Sequence, residues 1–235
     1  PAAHNARLRR NFIAPGHRTD MTSLLRLRST QRWIRLLLGL FLYGIGISLM
    51  VRASVGISPW DVLNQGVSLQ TGLSFGLVIV LVGALVLLAW WPLGQMFGIG
   101  TVLNVLLIGP SAQVGLWLVP EVQGLLLQWA TFLSGLVLLA IATGLYIGAG
   151  FGAGPRDGLM TGLHARTGAP IWLVRSLIEG CVLLIGWWLG GNVGWGTLVF
   201  AALVGPLCGI TLPRLRMPEA AVPETATQAA GPASP

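Results

Sequence analysis

The chain has no lysine and few charged residues of any kind. Among its 235 residues 14 are basic, all of them arginine, and 7 are acidic, so only 9% carry a charge. A soluble globular domain has about a quarter charged residues, which give it enough polar surface to stay dissolved. Because 54% of this chain is hydrophobic, its composition excludes an ordinary soluble fold and predicts an integral membrane protein.

Cysteine and histidine are also scarce. Cys181 and Cys208 lie in apolar runs, so we expect inert buried thiols rather than a disulfide, a metal site or a nucleophile. The stretch "GLSFG" (Gly72–Gly76) matches the pattern of a hydrolase nucleophile. It lacks histidine and acid partners and begins a membrane helix, so Ser74 is expected to cap that helix. The sequence therefore predicts no enzyme, no metal site and no cofactor.

Long apolar runs are what the chain does contain. A helix needs about 20 apolar residues to cross a bilayer, and six runs have that length. Pro110 and Pro206 lie inside two of them and predict kinks rather than helix ends. The predicted spans are Trp33–Val51, Leu73–Leu93, Gly98–Val119, Val122–Gly148, Pro170–Gly190 and Gly194–Leu212.

The arginines collect on one side of these spans. Eight of them precede or open the first span, Arg156 and Arg166 lie in the fourth-to-fifth connection, and Arg214 and Arg216 close the last span. The opposite side has only Arg52. By the positive-inside rule, this distribution predicts a multi-pass protein of the bacterial inner membrane with both termini in the cytoplasm.

Both ends of the chain differ in composition from the spans. Residues 1–31 are basic and lack periodicity, so we expect a disordered leader, with Met21 as a candidate for the true start. The leader arginines are expected to meet anionic lipid rather than nucleic acid. Residues 214–235 are rich in alanine, proline and threonine and are expected to form a disordered tail.

An internal repeat divides the remaining chain into the units 32–119 and 120–213. Shifted by 96 residues, "GISPWDVLNQG" (Gly56–Gly66) falls on "GAGPRDGLMTG" (Gly152–Gly162), and 28 of the 72 positions from Gly39 to Pro110 are identical. Composition alone gives roughly one match in nine, so the chain is a duplicated three-span unit. Because three is odd, the second unit is expected to insert upside down, which is a recurring plan of secondary transporters.

The repeat aligns Pro59 and Asp61 with Pro155 and Asp157. A proline at the first helical position with an acid in the first turn predicts a short helix after each proline, able to re-enter the membrane from opposite faces. Asp61 and Asp157 are then expected to approach each other. Two interpretations stay open: the carboxylates cap free backbone N–H groups, or they line a proton or ion pathway.

Other polar residues join this predicted pathway. Trp60 and Arg156 are the middle residues of the two Pro-x-Asp segments. Arg175 and Glu179, four residues apart, share one face of the fifth span and have no counterpart in the first unit. They are expected to neutralise each other near the cytoplasmic end, with a cargo site as the alternative. Asn104 likewise either binds cargo or joins helices.

Two blocks of the chain resemble the YczE branch of the YczE/YyaS/YitT group of bacterial membrane proteins. They are "FLYGIGISLMVRASVGISPWDVLNQGVSLQTGLSFG" (Phe41–Gly76) and "GIGTVLNVLLIG" (Gly98–Gly109). The resemblance implies a polytopic protein of the bacterial inner membrane and assigns no biochemical activity. The matching residues it singles out are Pro59, Trp60, Asp61, Thr101 and Asn104.

The predicted fold is thus all-α, with about six transmembrane helices in two inverted repeats. The leading hypothesis for function is a small secondary transporter of small-molecule or ion cargo, coupled through protonation of Asp61 or Asp157. The alternative is a non-transporting accessory protein that supports a biosynthetic, secretion or regulatory system through a membrane protein partner or a second copy. An intramembrane hydrolase acting through Ser74 is a third hypothesis.

Overall fold

The computed structural model describes residues 21–96 and 98–217, with side chains from Ser29 onwards. These residues form eight α-helices and no strand. Six of the helices are long and apolar enough to cross a membrane, so the predicted all-α polytopic fold is confirmed. The helices are α1 (Met21–Ala53), α2 (Pro59–Thr71), α3 (Phe75–Leu93), α4 (Ile99–Leu118), α5 (Leu125–Gly148), α6 (Pro155–Thr167), α7 (Ile171–Trp188) and α8 (Trp195–Leu215).

Local capping decides where the helices begin. The Ser74 hydroxyl accepts the Leu77 N–H at 3.4 Å, so α3 starts after Ser74 and not at Leu73, and the predicted role of this serine as a helix cap is confirmed. Gly124 has a φ of +91°, which delays the start of α5 from Val122 to Leu125. Pro110 lies inside α4 and Pro206 inside α8, as predicted.

The first helix is longer than its predicted span. α1 begins at Met21, so residues 21–31, which the sequence places in a disordered leader, are helical. Leucine, arginine and glutamine in this stretch are good helix formers, and neither glycine nor proline interrupts it. At the other end α8 continues to Leu215. Residues 1–20 and 218–235, the rest of the predicted leader and tail, lie outside the described residues.

Both cysteines are free, but neither is buried. Cys181 is exposed and Cys208 is partly exposed, which corrects the expectation of buried thiols. α7 and α8 bury few of their residues inside the protein. For an apolar residue on a membrane span the surrounding lipid replaces the protein core, so an apolar run does not imply burial by protein.

The helix starts recur at the spacing of the sequence repeat. Each of the last three helices begins 96 residues after its counterpart, although the serine caps of α2 and α3 have no serine at the equivalent positions of α6 and α7. The pairs are Pro59 and Pro155 for α2 and α6, Phe75 and Ile171 for α3 and α7, and Ile99 and Trp195 for α4 and α8.

α1 and α5 form the central pair of the bundle. A Cβ built on Gly39 would lie 2.8 Å from the Tyr146 nitrogen, and one built on Gly46 would lie 3.0 Å from the Gly135 oxygen. Later positions of α1 thus meet earlier positions of α5, so the two helices are antiparallel. Small residues allow this close approach of two backbones, as is common between membrane helices.

Each short helix packs on a span of the other half, α2 on α7 and α6 on α3. At both crossings a glycine of one helix lies against the other helix. On α7, Gly186 leaves no room for a Cβ against the backbone of α2 at Val62 and Leu63. At the equivalent crossing the small residue is on the short helix, where Gly158 of α6 lies against the ring of Trp90 of α3. These crossings bring the beginnings of α2 and α6 to the middle of the bundle.

Candidate functional site

The beginning of each short helix is held in place by hydrogen bonds. In α2 the N-cap is Ser58, whose hydroxyl accepts the Asp61 N–H at 3.3 Å. In α6 the backbone oxygen of Pro155 accepts the Trp90 Nε1–H at 2.9 Å, and the Ala153 oxygen just before the helix accepts the Thr101 hydroxyl at 2.7 Å. The predicted short helices after both prolines are therefore present, each of 13 residues and too short to cross a membrane.

Asp61 is a buried carboxylate that pairs with the other half of the chain. It is 1% exposed, and its Oδ2 accepts the Ser58 hydroxyl at 2.5 Å. Its Oδ1 lies 3.6 Å from Nη2 of Arg156, the second residue of α6. A buried carboxylate needs such a partner, since burying an unpaired charge is costly. The ion pair joins the beginnings of α2 and α6.

Arg156 also stacks on an aromatic ring. Its guanidinium carbon lies 5.0 Å from the centre of the Trp60 ring, within the range of a cation–π interaction. Trp60 and Arg156 are at equivalent positions of the repeat. The contact therefore joins equivalent positions of the two halves.

A cavity of about 580 Å³ lies beside this contact. Its volume is that of a small-molecule site. Among the nine residues that the sequence predicts for the pathway, only Asp61 does not line the cavity; its partners Ser58 and Arg156 do. The other eight line it: Pro59, Trp60, Asn104, Pro155, Arg156, Asp157, Arg175 and Glu179.

Asp157 faces the cavity without an ion pair. Its carboxylate accepts the backbone N–H of Gly154, and no arginine of the described residues lies within 4.0 Å of it. Burial raises the pKa of Asp157, against the opposing effects of Arg175 and Arg156. The carboxyl therefore caps its own helix and also holds a proton at a higher pH than an exposed aspartate does. The two interpretations left open for it are compatible.

Arg175 and Glu179 form the predicted i,i+4 ion pair on α7. Nε of Arg175 lies 2.9 Å from Oε1 of Glu179, and the two side chains are 50% and 27% exposed. Because both residues also line the cavity, the pair neutralises itself and at the same time contributes charge to the wall of the site.

Several polar atoms at the cavity have no hydrogen-bond partner in the described part of the protein. They are both amide atoms of Asn64 and Nε1 of Trp60. Buried polar atoms are nearly always paired, and Asn64 is 1% exposed and lines the cavity. These atoms are available to a bound molecule.

Sequence reasoning missed Tyr43, Tyr146 and Asn64. The two tyrosine rings meet edge to face at 6.0 Å between their centres, and both line the cavity. The sequence did contain a signal for the tyrosines, since the chain has only 2 of them. Each lies inside an apolar span, where burying its hydroxyl costs free energy. For Asn64 the signal was an amide one helical turn after Asp61. Within the described residues no group of His, Cys, Asp and Glu could hold a metal ion.

The sequence is similar to a family of unknown function and to proteins of two bacteria. Residues 30–213 match a family described as "Family of unknown function (DUF6198)". An uncharacterized protein of Haemophilus influenzae is 39% identical over 170 residues, which cover 72% of this chain and 78% of that protein. No solved structure matches the chain.

Two proteins of Bacillus subtilis are also similar. The uncharacterized membrane protein YczE is 33% identical over 190 residues, covering 78% of this chain and 86% of YczE. The uncharacterized protein YyaS is 27% identical over 183 residues, covering 75% of this chain and 90% of YyaS. The resemblance predicted from the sequence motifs is thus confirmed.

Proposed function

The chain belongs to the DUF6198 family, and from this premise we propose that it is a small secondary transporter whose cargo binds in the cavity between α2 and α6. It is an integral membrane protein with six candidate spans. The observation that carries the proposal is the contact between the two short helices, where Arg156 of one half pairs with Asp61 of the other beside the cavity. The proposed role is binding and passage of a solute, without catalysis.

The internal contacts support an inverted relation between the halves. α1 and α5 are antiparallel, and several contacts exchange under the repeat. The Gly196 N–H donates to the Val55 oxygen at 2.7 Å, and the equivalent Gly100 N–H donates to the Phe151 oxygen at 3.0 Å. In transporters of this plan, access alternates as one repeat rocks against the other around a central site. The proposal therefore places the cavity on the pseudo-two-fold axis.

Asp61 and Asp157 take different roles in this mechanism. Asp61 is buried and paired, so it holds the halves together through Arg156. Asp157 faces the cavity, is unpaired and retains a proton more readily than an exposed aspartate, so proton coupling is assigned to it. The cargo is then expected to displace the proton of Asp157, or to bind together with it.

Access to the cavity from both sides tests transport. In a variant lacking Cys181 and Cys208, single cysteines are placed at Asn104 and at its repeat equivalent Phe200, both at the cavity. A membrane-impermeant thiol reagent is then added to each side of sealed vesicles. A transporter is expected to label from both sides, and a cysteine at the fully buried Val78 serves as the unlabelled control.

Labelling from one side alone contradicts alternating access. That result favours the accessory function, which predicts a stable complex with another membrane protein or a second copy and no solute flux. Isolation of the native protein from its membranes in mild detergent, followed by identification of what remains bound, then separates these two forms of partner.

Orientation belongs to the same proposal. We propose that the protein lies in the bacterial inner membrane with both termini in the cytoplasm, because arginine is in excess at both ends of the chain. A C-terminal fusion to green fluorescent protein is expected to fluoresce, and a fusion of alkaline phosphatase at the same site is expected to be inactive. The reverse pattern contradicts the proposed orientation.

A further inference from the structure

The two halves differ at one helix pair. In the first half α3 packs tightly on α4: Gly76 and Gly109 are both buried, and a Cβ on Gly76 would lie 2.5 Å from the Gly109 oxygen. Seven residues further along α3, Gly83 lies against Val105, with its built Cβ 3.2 Å from a Val105 methyl. These close glycine contacts leave no gap between α3 and α4 in the first half.

The equivalent helices α7 and α8 are not sealed. Trp172 takes the place of Gly76 and is 65% exposed. The close contact that Gly76 makes with α4 has no room for a side chain, so an indole ring cannot occupy the equivalent position between α7 and α8. Gly205, the counterpart of Gly109, has no atom within 4 Å of its built Cβ, and Glu179 replaces Gly83. α3 packs along α4, whereas α7 and α8 make no comparable contact.

This gap opens into the cavity. Arg175 and Glu179 of α7 line the cavity, and so do Gly205 and Gly209 of α8. Since α7 and α8 are both candidate membrane spans, the gap faces the acyl chains of the bilayer. A molecule dissolved in the membrane can therefore reach the polar end of the site without crossing water. The volume of about 580 Å³ suits a small molecule and is too small for a further transmembrane helix.

The charges of the site indicate what such a molecule carries. Arg156 pairs with Asp61, and Arg175 pairs with Glu179, which leaves Asp157 as the unbalanced charge at the cavity. Tyr43 and Tyr146 line the same space. A carboxylate beside aromatic rings is the environment that proteins use for organic ammonium groups. One positive charge on the ligand would neutralise the site.

We propose that the cavity binds an amphiphilic amine, which enters between α7 and α8 with its apolar chain in the gap and places its charged nitrogen at Asp157. This inference rests on the proposed transport function and deepens it by naming the class of cargo. The occupant is a lipid-soluble cation, and it is distinguished from a hydrophilic cation by its chain and from an anionic lipid by its charge.

Equilibrium binding to the purified protein in lipid nanodiscs tests the proposal. The probe is radiolabelled dodecyltrimethylammonium; tetramethylammonium shares its head group without the chain, and dodecyl sulfate shares the chain with opposite charge. Saturable binding of dodecyltrimethylammonium alone is expected, and Asp157→Asn is expected to weaken it at least about tenfold, since a buried charge-to-charge contact is lost. Equal binding of dodecyl sulfate, or unchanged binding by Asp157→Asn, overturns the assignment.

A matched pair of variants tests the gap. Gly205→Phe fills the opening and is expected to slow dodecyltrimethylammonium binding severalfold. Gly180→Phe introduces the same ring on α7, where no atom lies within 4 Å of the built Cβ and outside the cavity lining; its binding rate is expected to match the parent. Equal rates for both variants overturn entry through the gap. If mass photometry shows that the parent protein is a dimer and that Gly205→Phe is a monomer, entry through the gap is also overturned, because the gap is then an interface between two copies.

The binding and labelling experiments fail independently. Cavity cysteines that label from both sides, in a protein that binds no dodecyltrimethylammonium, leave transport standing and refute the amphiphilic amine. Saturable, Asp157-dependent binding with labelling from one side alone refutes transport and retains the ligand class for an accessory function.

Discussion

Removal of Arg156 is the most informative change to the site, because it leaves a fully buried carboxylate without a charged partner. Asp61 is 1% exposed, and the Arg156 side chain is 27% exposed toward the cavity. At their separation of 3.6 Å, an effective dielectric constant of about 20 gives an attraction of about 4–5 kcal/mol. Breaking a buried pair by deleting one partner costs about 3–5 kcal/mol, so the two values agree.

The two partners are expected to contribute unequally. Arg156→Gln leaves the Asp61 carboxylate buried without a charged partner. This variant should lower the free energy of unfolding by most of the roughly 3–5 kcal/mol that breaking a buried pair costs. Asp61→Asn leaves Arg156 stacked on Trp60 and partly open to the cavity, and should cost only about 1 kcal/mol. The double variant removes both charges and should be more stable than Arg156→Gln alone.

Thermal unfolding in detergent, followed by tryptophan fluorescence, measures these differences. For a chain of this size about 1 kcal/mol shifts the melting temperature by roughly 2–4 °C, so Arg156→Gln should melt about 6–20 °C below the parent. Arg214→Gln, at an exposed position of α8, is the control for loss of an arginine and should stay within about 2 °C. A melting temperature of Arg156→Gln within that same margin, or a greater loss in Asp61→Asn, refutes the assignment of a buried pair.

Three further predictions concern packing and protonation. Gly186→Leu forces a side chain into the backbone of α2 and should cost about 1–3 kcal/mol, whereas Gly180→Leu, which points into open space, should be neutral in the same melting assay. Trp90→Phe loses the hydrogen bond to the Pro155 oxygen and should cost about 1 kcal/mol; an unchanged melting temperature shows that α6 is held by other contacts. Because burial raises the pKa of Asp157 above 3.8, the folded state binds its proton more tightly than the unfolded state. Stability should therefore fall as the pH rises from about 3.8 through the raised pKa, and it should level off above it. Asp157→Asn should remove that component of the pH profile, and a profile identical to the parent's contradicts the shift.

Much of the helical architecture follows from local sequence, because its causes are local. Six apolar runs predict six spans, since a bilayer requires helices of that length. Ser74 and the two prolines predict where α3, α2 and α6 begin, because a cap or a fixed φ acts on its own turn. The repeat adds which positions of the two halves correspond. Arg175 and Glu179, which have no charged counterpart in the first half, already indicated that the halves diverge at α7.

Only the tertiary structure decided which of these residues meet. Nothing within either Pro-x-Asp segment shows that Arg156 pairs with Asp61, since the partners are 95 residues apart and meet through the crossing of α2 and α6 over the opposite halves. The gap between α7 and α8 also depends on residues far apart in the sequence. It exists because Trp172 and Gly205 do not make the close contact that their equivalents Gly76 and Gly109 make. Hydrophobicity and capping determined the helices and where each of them begins. Packing of distant backbones determined the buried pair, the cavity and its opening.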